Sequence, residues 1–124
     1  VGGSNLTPFN TPTEFSEDEI ETFLLEGIDK VKAAKFKIMV PHMPPKDTKL
    51  DIISAGVHVG SQSVHDFILK YKPDIALSGH IHEARGSDTI ENTLAFNAGM
   101  FREGGYVIIT KTPGGLSAEL KVLS

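Results

Sequence analysis

Three histidines carry most of the chemistry this sequence can offer. His80 and His82 fall in Gly79-His80-Ile81-His82, directly after the apolar run Ile75-Ala76-Leu77-Ser78. His42 follows a second such run, Phe36-Lys37-Ile38-Met39-Val40, with one proline between. Neutral imidazole is a good ligand for zinc, manganese, iron or cobalt. In extended backbone, residues two apart point to the same side, so His80 and His82 can aim at one cavity. Gly79 lacks a side chain and lets the backbone turn close to a bound ion. The plainer alternative is a pair of surface histidines in a turn. For His42, alone in the proline-rich stretch Pro41-His42-Met43-Pro44-Pro45, a structural role is the equivalent alternative.

Two further residues are candidates for substrate binding. His58 lies in Gly56-Val57-His58-Val59-Gly60-Ser61, where Ser61 and nearby amides could meet an anion at a helix N-terminus. Arg85 could neutralise phosphate charge bidentately. Loop packing for His58 and an exposed ion pair for Arg85 are the competing roles. Ser54, Ser63 and Ser78 have no paired base at suggestive spacing, and there is no cysteine. Serine and thiolate nucleophiles, disulfides and zinc–thiolate sites therefore have no support. No catalytic acid or base is assigned.

These residues need elements to hold them. Ser16-Glu17-Asp18-Glu19 reads as a capping box, with acidic residues at the positive end of a helix. Ile20, Phe23, Leu24, Ile28 and Val31 recur at helical spacing, which predicts a helix over 17–33. A short strand is expected at 36–40, ended by Pro41. Residues 43–60 read as a long loop, with Asp47 and Asp51 in a solvated lid segment. Ser61 or Ser63 could cap a second helix carrying Val64, Phe67, Ile68 and Tyr71 on one face, stopped by Pro73. His65 on that helix reads as solvated, and Tyr71, Phe67, Phe23 and Phe36 read as core. A doubly covered strand follows at 75–78. The last third reads as a β-meander over 93–97, 105–110 and 116–122, with a turn at Pro113-Gly114-Gly115. The order is α/β with one sheet. It sets both histidine groups just beyond strand ends, where sites collect in such sheets.

The composition is that of an ordinary soluble domain, 40% apolar and 23% charged over 124 residues. A formal net charge of −4 argues against non-specific nucleic-acid binding, which needs basic patches. No apolar run approaches the roughly 20 residues that span a bilayer. The first residues have neither a basic start nor an apolar stretch, so a cytoplasmic location is the default expectation.

A strand ending in His followed by prolines, then a strand ending in Gly-His-X-His, then Asn97-Ala98-Gly99, resembles the calcineurin-like metallophosphoesterase superfamily. Gly2-Gly3-Ser4-Asn5, Thr7-Pro8-Phe9-Asn10-Thr11-Pro12 and His80-Ile81-His82-Glu83-Ala84-Arg85-Gly86 look like a small archaeal or prokaryotic branch of it. The resemblance implies a four-layer α/β/β/α sandwich, of which residues 1–124 would be the C-terminal half. It also implies two hydroxide-bridged divalent metals (Mn, Fe, Zn, Ni or Co) acting on a phosphate ester. By motif position His42 and His80 would ligate the second metal and His82 the first.

The upstream motifs of that superfamily, which supply the bridging aspartate, the ligand asparagine and an acid histidine, have no counterpart here. Asn5 fits the loop after the asparagine motif better than the motif itself. Three imidazoles without a bridging carboxylate could hold at most one metal. Activity would then need the missing N-terminal half or a partner chain, and pairing through an exposed sheet face is a further expectation. Two rivals stand beside this reading. One is a non-catalytic metal-binding or interaction module that keeps a remnant of the fold. The other is a single-site zinc hydrolase on His42, His80 and His82, with Glu83 as its base.

Overall fold

The computed structural model describes residues 1–124. Two short strands open the chain, β1 at Ser4–Asn5 and β2 at Glu14–Phe15, paired parallel. Then come α1 (Glu17–Val31), β3 (Ile38–Met39), α2 (Gln62–Tyr71), β4 (Ile75–Ser78), β5 (Gly86–Ile90) and β6 (Thr93–Asn97). A hairpin of β7 (Gly105–Thr112) and β8 (Gly115–Val122) ends it. No helix is long and apolar enough to cross a membrane.

Both helices start where their caps place them. The Ser16 hydroxyl accepts from the Glu19 amide, and the Glu19 carboxylate accepts from the Ser16 amide. Ser61 caps α2 through the Val64 amide, and Lys72 in the left-handed region closes it, with Pro73 next. Each cap of this kind contributes about 1 kcal/mol.

The central sheet has the order β3-β4-β6-β5, with the first three strands parallel and β5 antiparallel at the edge. Register sets Met39, Ala76 and Ala95 in one row. That row faces the helices, and it packs with Ile20 and Leu24 of α1 and Val64, Phe67 and Ile68 of α2. The small alanines let the helices approach closely. Each large side chain buried there contributes roughly 1.5–3 kcal/mol. The opposite face is covered less evenly. Ile75 and Phe96 are buried, whereas Ile38 and, on the hairpin, Ile108 and Val122 stay exposed.

Several expectations change. The strand at 36–40 shrinks to Ile38–Met39. Phe23 is exposed, its ring edge-on to Phe15, and Phe36 is only partly covered, so spacing overstated both as core. His65 is half-buried, its Nδ1 against the Lys46 carbonyl, rather than solvated. Strand β5 was not anticipated: Gly86-Ser87-Asp88-Thr89 is polar because an edge strand buries little, here only Ile90. The meander and the single sheet do not form. After β6, Gly99 and Gly104 take left-handed conformations around a one-turn helix at Phe101–Glu103. The chain turns away, and β7–β8 forms a separate two-stranded sheet.

Candidate metal centre and adjoining cleft

The three parallel strands end together. After β3 the chain reaches His42, after β4 it reaches His80, and after β6 it reaches Ala98-Gly99. The Gly79 amide donates to the His42 carbonyl at 3.0 Å, locking the first two ends side by side. Consequently His42 Nε2 lies 3.1 Å from His80 Nδ1, with the rings edge-on at 4.8 Å between centroids. Two nitrogens bound to one metal at ordinary imidazole distances and angles lie roughly 3.0–3.4 Å apart. The pair therefore fits neighbouring ligands of one divalent ion.

His80 is where the backbone departs from expectation. Its φ is +64°, so it is not extended, and His82 opens a one-turn helix at His82–Ala84. Strand alternation therefore does not aim the two rings together. The free space at Gly79 is not used either, since a Cβ there would meet nothing within 4 Å. The left-handed turn falls on His80 instead. A non-glycine residue held in that region costs free energy, and such residues cluster at functional sites. Burial first, then the neighbouring His42 and His82, hold the His80 imidazole below its ordinary pKa. That favours the neutral form, which is the ligand form. His82 is exposed, and no group of three or more His, Asp or Glu side chains gathers at one point.

Asn97 at the end of β6 ties this edge together. It is fully buried, and its Nδ2 donates to the Leu50 carbonyl at 3.0 Å and the Ile81 carbonyl at 2.8 Å. Its Oδ1 accepts from the Gly99 amide. One side chain thus joins the 43–60 segment, the histidine turn and the strand end.

The 43–60 segment is not a solvated lid. Asp51 is fully buried and accepts from the amides of Asp47, Thr48 and Gly60 at 3.0–3.1 Å, and from His58 Nδ1 at 2.7 Å. A charged residue can be buried when its acceptors are filled this way. Gly60 is required by contact: a Cβ there would stand 2.6 Å from the Pro44 carbonyl and 2.8 Å from Asp51 Cβ. Outside contacts hold the segment as well, from the Lys49 amide to Asp88, the Ser54 amide to Glu83, and Asn5 Nδ2 to the Val59 and Gly60 carbonyls. Glu83 is thereby engaged in holding the segment. Sequence reasoning missed Asp51 and Asn97 as organising residues.

His58 and His80 line one cleft of about 630 Å³ between loop 5–11 and the 43–60 segment. Arg85 lies elsewhere. Its stem packs over Gly99 and Gly105, and its guanidinium donates to the Glu103 carbonyl at 3.3 Å.

A sequence profile described as metallophosphoesterase, calcineurin superfamily, matches residues 13–116. The chain belongs to the calcineurin superfamily of metallophosphoesterases. It is 44% identical over 101 residues to the uncharacterized protein MJ1162 of Methanocaldococcus jannaschii, covering 78% of this chain and 45% of that protein. One crystal structure aligns with a TM-score of 0.67 at 22% identity, over 90% of this chain and 41% of its own. The crystal structure of TT1561 of Thermus thermophilus aligns at 0.53 and 16% identity, over 89% and 44%. Those structures establish the fold. This metallophosphoesterase chain spans less than half the length of the relatives it matches, and its mixed α/β architecture is that of part of the fold. Members of the superfamily generally bind divalent metals and hydrolyse phosphate esters.

Proposed function

We propose that this chain supplies part of the site of a two-metal phosphoesterase. His42 and His80 hold one divalent ion and His82 reaches the other, while the remaining ligands come from outside residues 1–124, from an N-terminal half or a partner chain. The carrying observation is the His42–His80 pair, 3.1 Å apart at the C-terminal ends of adjacent parallel strands. A bound divalent metal supplies Lewis acidity and a nucleophilic water at neutral pH. The chain's own residues position: Asn97 fixes the histidine turn, and the neutral His80 presents a lone pair. His58 contacts the ester from the cleft. Arg85 would need to release the Glu103 carbonyl to reach a substrate.

The experiment is hydrolysis of p-nitrophenyl phosphate and bis-p-nitrophenyl phosphate by the full-length protein with Mn²⁺, before and after chelation. Turnover that chelator abolishes and His80→Ala removes is expected. No turnover of either ester with any of Mn²⁺, Zn²⁺, Ni²⁺ or Co²⁺ would reject the reading.

A second reading is a metal-binding module without hydrolysis. It draws on the fact that only two imidazoles meet within this chain. Stoichiometric metal uptake without ester turnover would favour it. A location in the cytoplasm is proposed with either.

A further inference from the structure

Metal ligation accounts for His80 among the residues that line the 630 Å³ cleft. It does not account for Lys46 and His58, or for the apolar Leu6, Phe9 and Ile53, which line the same cleft.

The polar groups are held by the fold. Asp51 accepts from three backbone amides and the His58 ring, which is the acceptor-only pattern of a carboxylate. His58 Nδ1 must therefore carry the proton in that contact, and Nε2 has no partner within the chain. Lys46 forms no ion pair. Glu17 also lines the cleft, but its Oε2 accepts from the Ser61 hydroxyl at 2.7 Å and the Ser63 amide at 2.9 Å. The Asp51 hydrogen bond holds His58 above its ordinary pKa; burial opposes this, the charge of Asp51 and Asp47 assists it, and that of Lys46 opposes it. Lys46 and the outer nitrogen of His58 thus line the cleft without a partner in the chain, and that nitrogen donates when the ring is protonated.

The apolar residues are held in place too. Leu6 and Phe9 are 66% and 81% exposed, yet their loop is pinned by Glu14, which accepts from the Thr7 and Thr11 amides and, at 2.6 Å, from the Thr11 hydroxyl. A loop anchored by its own hydrogen bonds that still presents large apolar side chains to a cavity has the character of a ligand wall. The volume suits a small organic molecule.

We propose that this cleft receives the leaving group of the ester, with Lys46 and His58 contacting an anionic group on it and Leu6, Phe9 and Ile53 holding its apolar body. The proposal rests on the reading that a divalent ion held by His42 and His80 binds the phosphate of the ester. The substrate class is then an organic phosphate whose leaving group is apolar and carries a second negative charge. Inorganic phosphate and polyol phosphates leave the cleft unfilled.

The test compares 4-carboxyphenyl phosphate, phenyl phosphate and glycerol 2-phosphate with the full-length, Mn²⁺-loaded protein. It adds the metal-free protein titrated with 4-hydroxybenzoate, read by NMR at the His58 ring. The expected kcat/KM falls by about tenfold at each step along that series, the size of one charge-assisted contact or one buried ring. Lys46→Gln and His58→Gln should each remove the advantage of the carboxyl group, and Phe9→Ala the advantage of phenyl over glycerol. 4-Hydroxybenzoate should shift the His58 resonances. Equal kcat/KM for the three esters, with no His58 shift, would overturn the cleft assignment while leaving the phosphoesterase reading intact. A His58 shift with no ester turned over would overturn the hydrolytic reading and the leaving-group role with it.

Discussion

Two regions meet at one cleft and are built in opposite ways. Around Asp51, polar groups are matched: three amides and an imidazole converge on a buried carboxylate, and Gly60 leaves just enough room for it. At the histidine edge the opposite holds. His80 sits at φ +64° and His42 is exposed, and their nitrogens face each other with no third ligand from the chain. The first region commits its polar groups to the fold. The second pairs two imidazoles only with each other, and groups not tied into the rest of the fold are available to a ligand.

Substitutions should separate the two regions clearly. The largest expected effect is at the Asp51 cluster. Asp51→Ala strands several buried donors and should cost about 3 kcal/mol or more in denaturant melts. Gly60→Ala should act in the same direction, because the added Cβ collides with backbone and with Asp51. A loss below about 1 kcal/mol for both would mean the segment is looser than its hydrogen bonds suggest.

Next comes Asn97→Ala, which frees the Leu50 and Ile81 carbonyls. About 2 kcal/mol of stability should go, together with metal affinity, because the histidine turn loses its tether. Unchanged metal affinity by calorimetry would limit Asn97 to a stability role.

At the histidine edge the sign should reverse. His80→Gly relieves a left-handed residue, so stability should hold or rise by up to about 1 kcal/mol while metal uptake falls away. A marked loss of stability would show that His80 serves the fold as Asp51 does.

The smallest effect is with pH. His58 has a folded pKa above its ordinary 6.5, so its contribution is fully present below that value and declines as pH rises through the raised value. Amide exchange at Gly60 and Thr48 should therefore quicken, beyond its intrinsic pH dependence, above about pH 6.5 in the wild-type protein and not in His58→Gln. Equal pH profiles would show that the neutral ring holds the segment just as well.

Local chemistry made some of this protein legible in advance. The capping box at Ser16 and Glu19 and the Ile75–Ser78 strand are short-range features that formed where their residues placed them, and of the two serines that could cap the second helix the fold uses Ser61. The placement of His42 and His80 beyond strand ends was legible too, since Pro41 and Gly79 mark those ends. Asp51 was not, because its partners come from residues on both sides of it and Lys49 beside it suggests solvent. Strand β5 was not, because an edge strand buries one side chain and shows little apolar alternation.

Neighbouring residues were enough to set the helices, the strand ends and the motifs of a metallophosphoesterase family, because caps, prolines and motif residues act over a few positions. Three outcomes needed the folded chain: that His42 and His80 meet, that β7–β8 leaves the central sheet, and that Asp51 is buried. They depend on sheet order, on left-handed turns at His80, Gly99 and Gly104, and on the 43–60 segment folding back so that its own donors converge on Asp51. A buried charge is stable only when its partners converge on it, and convergence belongs to the folded chain.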